Sequence, residues 1–283
     1  LEAKGRTIRS VEEPVFPRVA FVGAGHVTRL LLSNLLGRKG TLPPNRVVVS
    51  GPRPLRLREF EERFGTAVTT DNVEAARSAD VVFVNVRPHQ VKEVLRDLAS
   101  VDWADRLLVS LAAGVPLERY RVLGESCAVA RILPNPPSAI GRGVVAVSFD
   151  RRVPPERREG LLSLLRPLGT LMPLPESQMD LVTSLTSPAP VLAFAQALVD
   201  GAVLCGMERG DALAAVRETL AGTLEMWSSS GKSLESLLVE SSTPGGVSVE
   251  SLFTLERRGV RGAVMEAVRE GTLKAERLGR GGW

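Results

Sequence analysis

Arg18–Val27 reads RVAFVGAGHV, and the fold turns on these residues. Val19–Val22 is an unbroken apolar run, as expected of a strand buried on both faces. Gly23 and Gly25 interrupt it, and a helically periodic segment, HVTRLLLSNLLGRKG, follows. Strand, glycine turn and helix in that order predict the first βα unit of a dinucleotide-binding sheet. Gly23 allows the tight turn, Gly25 lets the backbone approach a pyrophosphate, and the helix N-terminus offers N–H donors to the anion. The third position of the fingerprint is Thr28, where Gly or Ala is usual. His26, inside the turn, reads as positional rather than catalytic.

Working outward, strand-like runs alternate with helical ones. RVVVSG is a second strand, and PLRLREFEERFG an amphipathic helix that Gly65 can stop. AVTT, DVVFVNV, RLLVSLAAG, CAVARILPN, GVVAVSF and TLMPL complete the strands. Between them lie the helices DNVEAARSA, with Asp71 as candidate N-cap, PHQVKEVLRDLA and PPERREGLLSLLRPLG. This alternation predicts an α/β fold: a Rossmann-type, doubly wound, mostly parallel sheet over residues 18–175. After Pro175 every segment is helical by period, which predicts an all-α domain over 176–283. Residues 1–17, with Pro14 and Pro17, read as an irregular arm.

The second strand's end sharpens the ligand. Sheets of this kind that bind NAD place Asp or Glu there for the ribose 2′-hydroxyl. Here the residues are Ser50, Gly51, Pro52 and Arg53. A hydroxyl and a guanidinium suit a 2′-phosphate, so NADP(H) is expected over NAD(H).

Composition excludes several classes. The 36 basic residues are 31 Arg and 5 Lys, scattered along the chain, and the net charge is only +4. A nucleic-acid surface needs a concentrated basic face, so none is expected. Cys127 and Cys205 are distant, and both read as buried reduced thiols. With His26 and His89 the only histidines, no metal cluster is expected. No apolar stretch is expected to reach the ~20 residues that span a bilayer, and no secretory leader is read, so the expectation is a cytoplasmic protein away from membranes. Tyr120 is the only tyrosine, hence the only phenol available as an acid.

Several motifs in order, VGAGHV, DNVEAARSADVVFVNVRPHQVKEVL, LVSLAAGV, RILPNPPSAIGRG, DLVTSL and STPGGVSVESLFTLERRGVRGAVMEAV, resemble the pyrroline-5-carboxylate reductases. The resemblance runs over roughly residues 18 to 278. It implies a Rossmann domain, a helical domain that dimerises, possible higher homo-oligomers, and reduction of a cyclic imine, a small-molecule substrate, with hydride from NAD(P)H. It also implies roles by position. Gly23, Ala24, Gly25, His26 and Val27 would wrap the pyrophosphate. Ser50 and Arg53 would meet the ribose phosphate, and Asn72 the adenosine side. Val86, Arg87 and Pro88 would lie beside the cofactor, and Ala112, Ala113 and Gly114 near the nicotinamide. Asn135 matches the asparagine of the family's Pro-Asn-Thr-Pro. In STPGGVSV, Gly245, Gly246, Val247 and Ser248 would hold the substrate carboxylate, with the Ser248 hydroxyl near the imine.

The departures cluster. The family's Ser-Gly-Ser-Gly-Pro-Ala-Tyr aligns with Thr186, Ser187, Pro188, Ala189, Pro190, Val191 and Leu192, where only the proline, Pro190, is kept, as a substrate-side residue. Pro136 and Pro137 follow Asn135 where Thr-Pro is usual, and Arg87 replaces a lysine. Cβ atoms and a proline ring narrow the approach to a ligand, so altered substrate choice is expected before loss of reaction. A non-catalytic NADP(H)-binding paralogue, sensor or scaffold, is the alternative. A hydroxy-acid or amine dehydrogenase is disfavoured: the helical domain has no His, and Lys232 and Lys274 read as loop and exposed helix positions.

Overall fold

The computed structural model describes residues 17–36 and 41–280. The expected arm therefore lies outside the described residues except for Pro17, as do Gly37 and Gly40, the expected stop of the first helix. Eight strands form one sheet: β1 (Val19–Val22), β2 (Val47–Ser50), β3 (Ala67–Thr69), β4 (Val81–Val84), β5 (Leu107–Ser110), β6 (Ala128–Pro134), β7 (Gly143–Phe149) and β8 (Gly169–Pro173). Their order is β3-β2-β1-β4-β5-β6-β7-β8, and all neighbours are parallel except β6 and β7. The chain runs from β6 to β7 through a short 3-10 turn, Pro136–Ile140, too brief for a crossover helix, so β7 must return antiparallel. Five helices complete the winding: α1 (His26–Leu35), α2 (Pro54–Phe64), α3 (Asn72–Arg77), α4 (Pro88–Asp97) and α5 (Pro155–Leu165).

Strand alternation sorts the side chains into two cores, because successive residues point to opposite faces. On one face Val19, Phe21, Val49, Phe83 and Ile132 pack with Leu31, Phe60 and Leu165 of α1, α2 and α5. Phe21 and Phe83 stack there with centroids 4.7 Å apart. On the other face Ala20, Val22, Val84, Leu108 and Val129 pack with Ala76 of α3, Val91 and Leu95 of α4, Trp103 and Tyr120. Local signals close the helices as the sequence predicts. Gly65 ends α2 with a left-handed φ of 66°. Asp71 caps α3 by accepting from the N–H groups of Val73 and Glu74 at 2.7 and 3.1 Å.

Among the described residues the chain divides into two compact units, one running to Asp180 and resumed from Glu276, the other Leu181–Ala275. The first unit runs on to Asp180, and the carboxylates at 176 and 180 are tied to it (below). The second unit is helical: α6 (Met179–Leu185) leads into it, followed by α7 (Pro188–Leu204), α8 (Arg209–Ser230), α9 (Leu234–Glu240), α10 (Val247–Arg257) and α11 (Val260–Arg280). Gly259, with φ 69°, separates α10 from α11 within what reads as one helical string. Two expectations are corrected here. Glu176–Leu204 is long and apolar enough, by length and composition, to cross a membrane; polar residues interrupt its apolar run without lowering its average hydropathy enough to disqualify it. Cys205 is exposed, while Cys127 is buried as expected; an apolar run says nothing about which neighbour covers it.

Candidate functional site

The strand order reverses between β1 and β4, and their carboxyl ends open a crevice there, the usual ligand position in such sheets. Gly23 closes the turn after β1. Its φ is 117°, and a Cβ would lie 2.3 Å from the Asn85 carbonyl oxygen, so no other residue fits without displacing backbone. Its N–H donates to the Ser50 carbonyl at 2.9 Å. Thr28 is buried and clasps this turn: its hydroxyl donates to the Gly23 carbonyl at 2.5 Å and accepts from the Asn85 amide at 2.6 Å. A larger hydroxyl residue thus replaces the expected small one because it bonds β1 to β4. Asn85 was missed from sequence; its one signal was a polar residue directly after the apolar run of β4.

Gly25 is different. Its backbone is extended, with φ −105°, and nothing lies within 4 Å of the Cβ position. The protein's own packing does not require glycine there, and a side chain would fill the space over the N-terminus of α1, where no side chain caps the helix. That is the shape a pyrophosphate needs.

Two adjoining clefts of about 310 and 590 Å³ surround this point and share Ala24, Gly25, Arg56, Asn85, Val86 and Arg87. Arg53 and His89 line the first; His26, Val27, Arg29, Pro88, Ala112 and Ala113 line the second. Among the described residues, four arginines and no carboxylate face this space. Arg29 is paired with Glu59 at 2.8 Å. Arg53, exposed at the N-cap of α2, stands beside exposed Arg56, and exposed Arg87 occupies the N-cap of α4. The Arg87 N–H donates to Gln90 Oε1 at 3.3 Å, which fixes that helix start.

Not every expected residue faces the clefts. Ser50 is fully buried and donates to Asn72 Oδ1 at 2.9 Å, while the Asn72 amide donates to Asp97 at 3.3 Å. Ser50 therefore supports Asn72 from beneath, because the last residue of β2 points into the sheet's packing. Asn135 starts the turn after β6 and accepts from the Val144 N–H at 2.8 Å. Gly114 is buried and donates to Asp180 Oδ1 at 3.2 Å. Tyr120 is fully buried and hydrogen-bonds Ser110, and burial pushes its phenol up to about 12. Burial also pushes the Cys127 thiol up to about 12. Neither group is placed to act as an acid. Among the described residues no group of three or more His, Cys, Asp and Glu is gathered to hold a metal ion.

In the helical unit, Gly245 adopts φ 74° and Gly246 caps α10. A Cβ on Gly246 would meet the Thr243 hydroxyl at 2.6 Å, and its N–H donates to the Thr243 carbonyl at 2.9 Å. No side chain caps α10, so its first-turn N–H groups, from Val247 and Ser248, are open to an anion. Ser248 is exposed. At the start of α7 the order is Ser187 at the N-cap, then Pro188, Ala189 and Pro190. Proline costs a first turn little, because those N–H groups have no helical partner. It also leaves Ala189 as the one N–H donor among the three residues.

Comparison with known proteins agrees with both halves. Residues 18–114 match the family described as NADP oxidoreductase, coenzyme F420-dependent, and residues 176–278 match the pyrroline-5-carboxylate reductase dimerisation family. The chain is 30% identical over 266 residues to a pyrroline-5-carboxylate reductase of Methanosarcina acetivorans, covering 93% of this chain and 98% of that one. It is 34% identical over 271 residues to pyrroline-5-carboxylate reductase 3 of Xenopus laevis, with the same coverage. The solved structure of a pyrroline-5-carboxylate reductase from Coxiella burnetii superposes with a TM-score of 0.82 at 27% identity, over 93% of this chain and 98% of that one. With 30–34% identity to these enzymes over 93% of its length, and a glycine turn and helical unit of the kinds described above, this chain belongs to the pyrroline-5-carboxylate reductase family.

Proposed function

We propose that the protein reduces the C=N bond of a cyclic imine, pyrroline-5-carboxylate to proline or a close relative, using NADPH. The observation that carries the cofactor reading is the arginine-lined, carboxylate-free crevice around the open Gly25. Bound there, NADPH supplies the hydride. The N-terminus of α1 and residues 23–27 would hold its pyrophosphate, Arg53 and Arg56 its 2′-phosphate, and Arg87 the charge between them. Val86, Pro88, Ala112 and Ala113 give the remaining wall an apolar character suited to a nicotinamide ring. In the helical unit, the N–H groups at the start of α10 suit the substrate carboxylate, and the Ser248 hydroxyl suits a hydrogen bond to the imine nitrogen as it gains its proton. Pro188 and Pro190 leave few donors at the start of α7, which favours selection among imines by shape there. The same feature is what would favour a non-catalytic, dinucleotide-binding role.

The homo-oligomer follows from the dimerisation family matched by the helical unit. We read its exposed apolar helices as surface for a second copy rather than for a bilayer, and the protein as cytoplasmic with no nucleic-acid partner. The test is turnover: NADPH absorbance is followed with pyrroline-5-carboxylate and with other cyclic imines. Tight NADPH binding with no turnover of any of them would select the non-catalytic reading. Arg53→Ala should weaken NADPH about ten- to a hundredfold, the worth of a hydrogen bond to a charged group, and NADH much less. Equal loss for both would remove the 2′-phosphate assignment.

A further inference from the structure

Buried Arg131 has no part in the cleft, yet it organises the segment that leads out of it. Its side chain is 3% exposed on β6, where its backbone pairs with Ser110 of β5. One terminal nitrogen donates to Glu176 Oε1 at 3.0 Å and the other to Asp180 Oδ1 at 3.4 Å. The same two oxygens each accept a backbone N–H from one loop: Glu176 Oε1 from Leu117 at 2.5 Å, and Asp180 Oδ1 from Gly114 at 3.2 Å. That loop continues β5, contains Gly114 at φ 74°, and includes Ala112 and Ala113 in the cleft wall. At its start, the Ala112 N–H donates to the Ser110 hydroxyl at 3.3 Å.

We propose that Arg131 is a positioning residue for the reaction, fixing the backbone of residues 112–117 through Asp180 and Glu176. A buried ion pair is a poor means of stability, since well-packed apolar side chains often do as well. Its use here is geometric. A planar guanidinium holds two carboxylates at a set spacing, which a lysine's point charge does not. Each carboxylate then anchors one loop amide, so the wall beside the nicotinamide stays in place when the ring binds. This inference rests on the cleft being the NADPH site, and its test keeps the two apart.

The full-length protein and its Arg131→Met, Arg131→Lys, Asp180→Asn and Glu176→Gln variants are compared in three measurements: hydrogen exchange across 112–117, NADPH binding, and steady-state turnover of pyrroline-5-carboxylate. In Arg131→Met, exchange in the loop should rise and kcat should fall, each about tenfold, the scale on which small misplacements act. NADPH affinity should stay within about twofold, because the arginines that hold its phosphates are untouched. Arg131→Lys should recover only part of kcat. Asp180→Asn and Glu176→Gln keep an acceptor for the loop amide and should give smaller losses; they carry the test if Arg131→Met does not fold. Wild-type exchange across 112–117 in a folded Arg131→Met would overturn the proposal. So would a loosened loop with unchanged kcat. If the wild-type protein turns over no imine, the functional reading fails while the exchange data still decide what Arg131 does.

Discussion

The sheet unit and the helical unit have similarly apolar elements but bury them differently. In β1, β4 and β5 almost every side chain is buried, and two cores, one on each face, use up the apolar surface of the strands. In α7, seventeen residues rich in Ala, Val and Leu, only Val199 is buried. Val191, Leu192, Phe194, Leu198 and Leu204 face outward, as do Trp227 of α8 and Phe253 of α10. A parallel sheet finds its covering helices within its own chain. α7 carries apolar residues around most of its circumference, and one chain does not cover them. Exposed apolar surface on this scale marks an interface, and the match of residues 176–278 to a dimerisation family names its occupant as a second copy.

Charging the uncovered face should break this contrast most sharply. Leu198→Asp would bury an unpaired carboxylate in the assembly, a cost of about 3–5 kcal/mol, and should leave monomers in sedimentation velocity with turnover lost. The sheet unit should keep its fold and bind NADPH. An assembly of wild-type size would show that α7 is not the covered face. Next in size come the two glycines of the turn. Gly23→Ala places a Cβ against the Asn85 carbonyl at positive φ and should destabilise the sheet unit by about 3 kcal/mol or more in urea unfolding. Gly25→Ala should leave stability within about 1 kcal/mol and weaken NADPH about tenfold or more. If both variants fail in the same way, the division between a glycine for folding and a glycine for ligand disappears.

A smaller effect tests the buried acids of the sheet unit. Burial raises Tyr120 from 10.0 and Cys127 from 9.0, both to about 12. Each is held neutral in the folded chain and ionises earlier in the unfolded one. The stability they contribute is complete below pH 9 and is lost as pH rises toward 12. Unfolding free energy should therefore fall across that window. Cys127→Ala should flatten the fall from its start, and Tyr120→Phe should flatten it above pH 10. A slope unchanged in both variants would place the alkaline sensitivity elsewhere.

Much of this was readable in the chain. Apolar-rich runs between turn signals marked the strands, three to seven residues each, and Gly65 and Asp71 marked helix ends, because such signals act within a few residues. The cleft's Gly23, Gly25, Arg53 and Arg87 were readable too, since they sit at fixed offsets from strand ends. The clasp of Thr28 on Asn85 spans 57 positions, and the pairing of Arg131 with Asp180 spans 49. Bonds of that kind leave no local pattern. The break at Gly259 was hidden because one glycine in a helical string is ordinarily tolerated.

The sequence by itself determined the alternation of strands and helices, the glycine turn with its arginines in place of a carboxylate, and the change of period after Pro175. These follow from backbone sterics and side-chain periodicity, which act along the chain. Only the tertiary structure decided that Ser50 lies buried under Asn72, that Thr28 ties β1 to β4, that two carboxylates at 176 and 180 hold the loop after β5, and that α7 turns its apolar residues outward. Those outcomes depend on which surfaces meet in space, and hydrophobicity, being non-directional, favours burial without naming the partner.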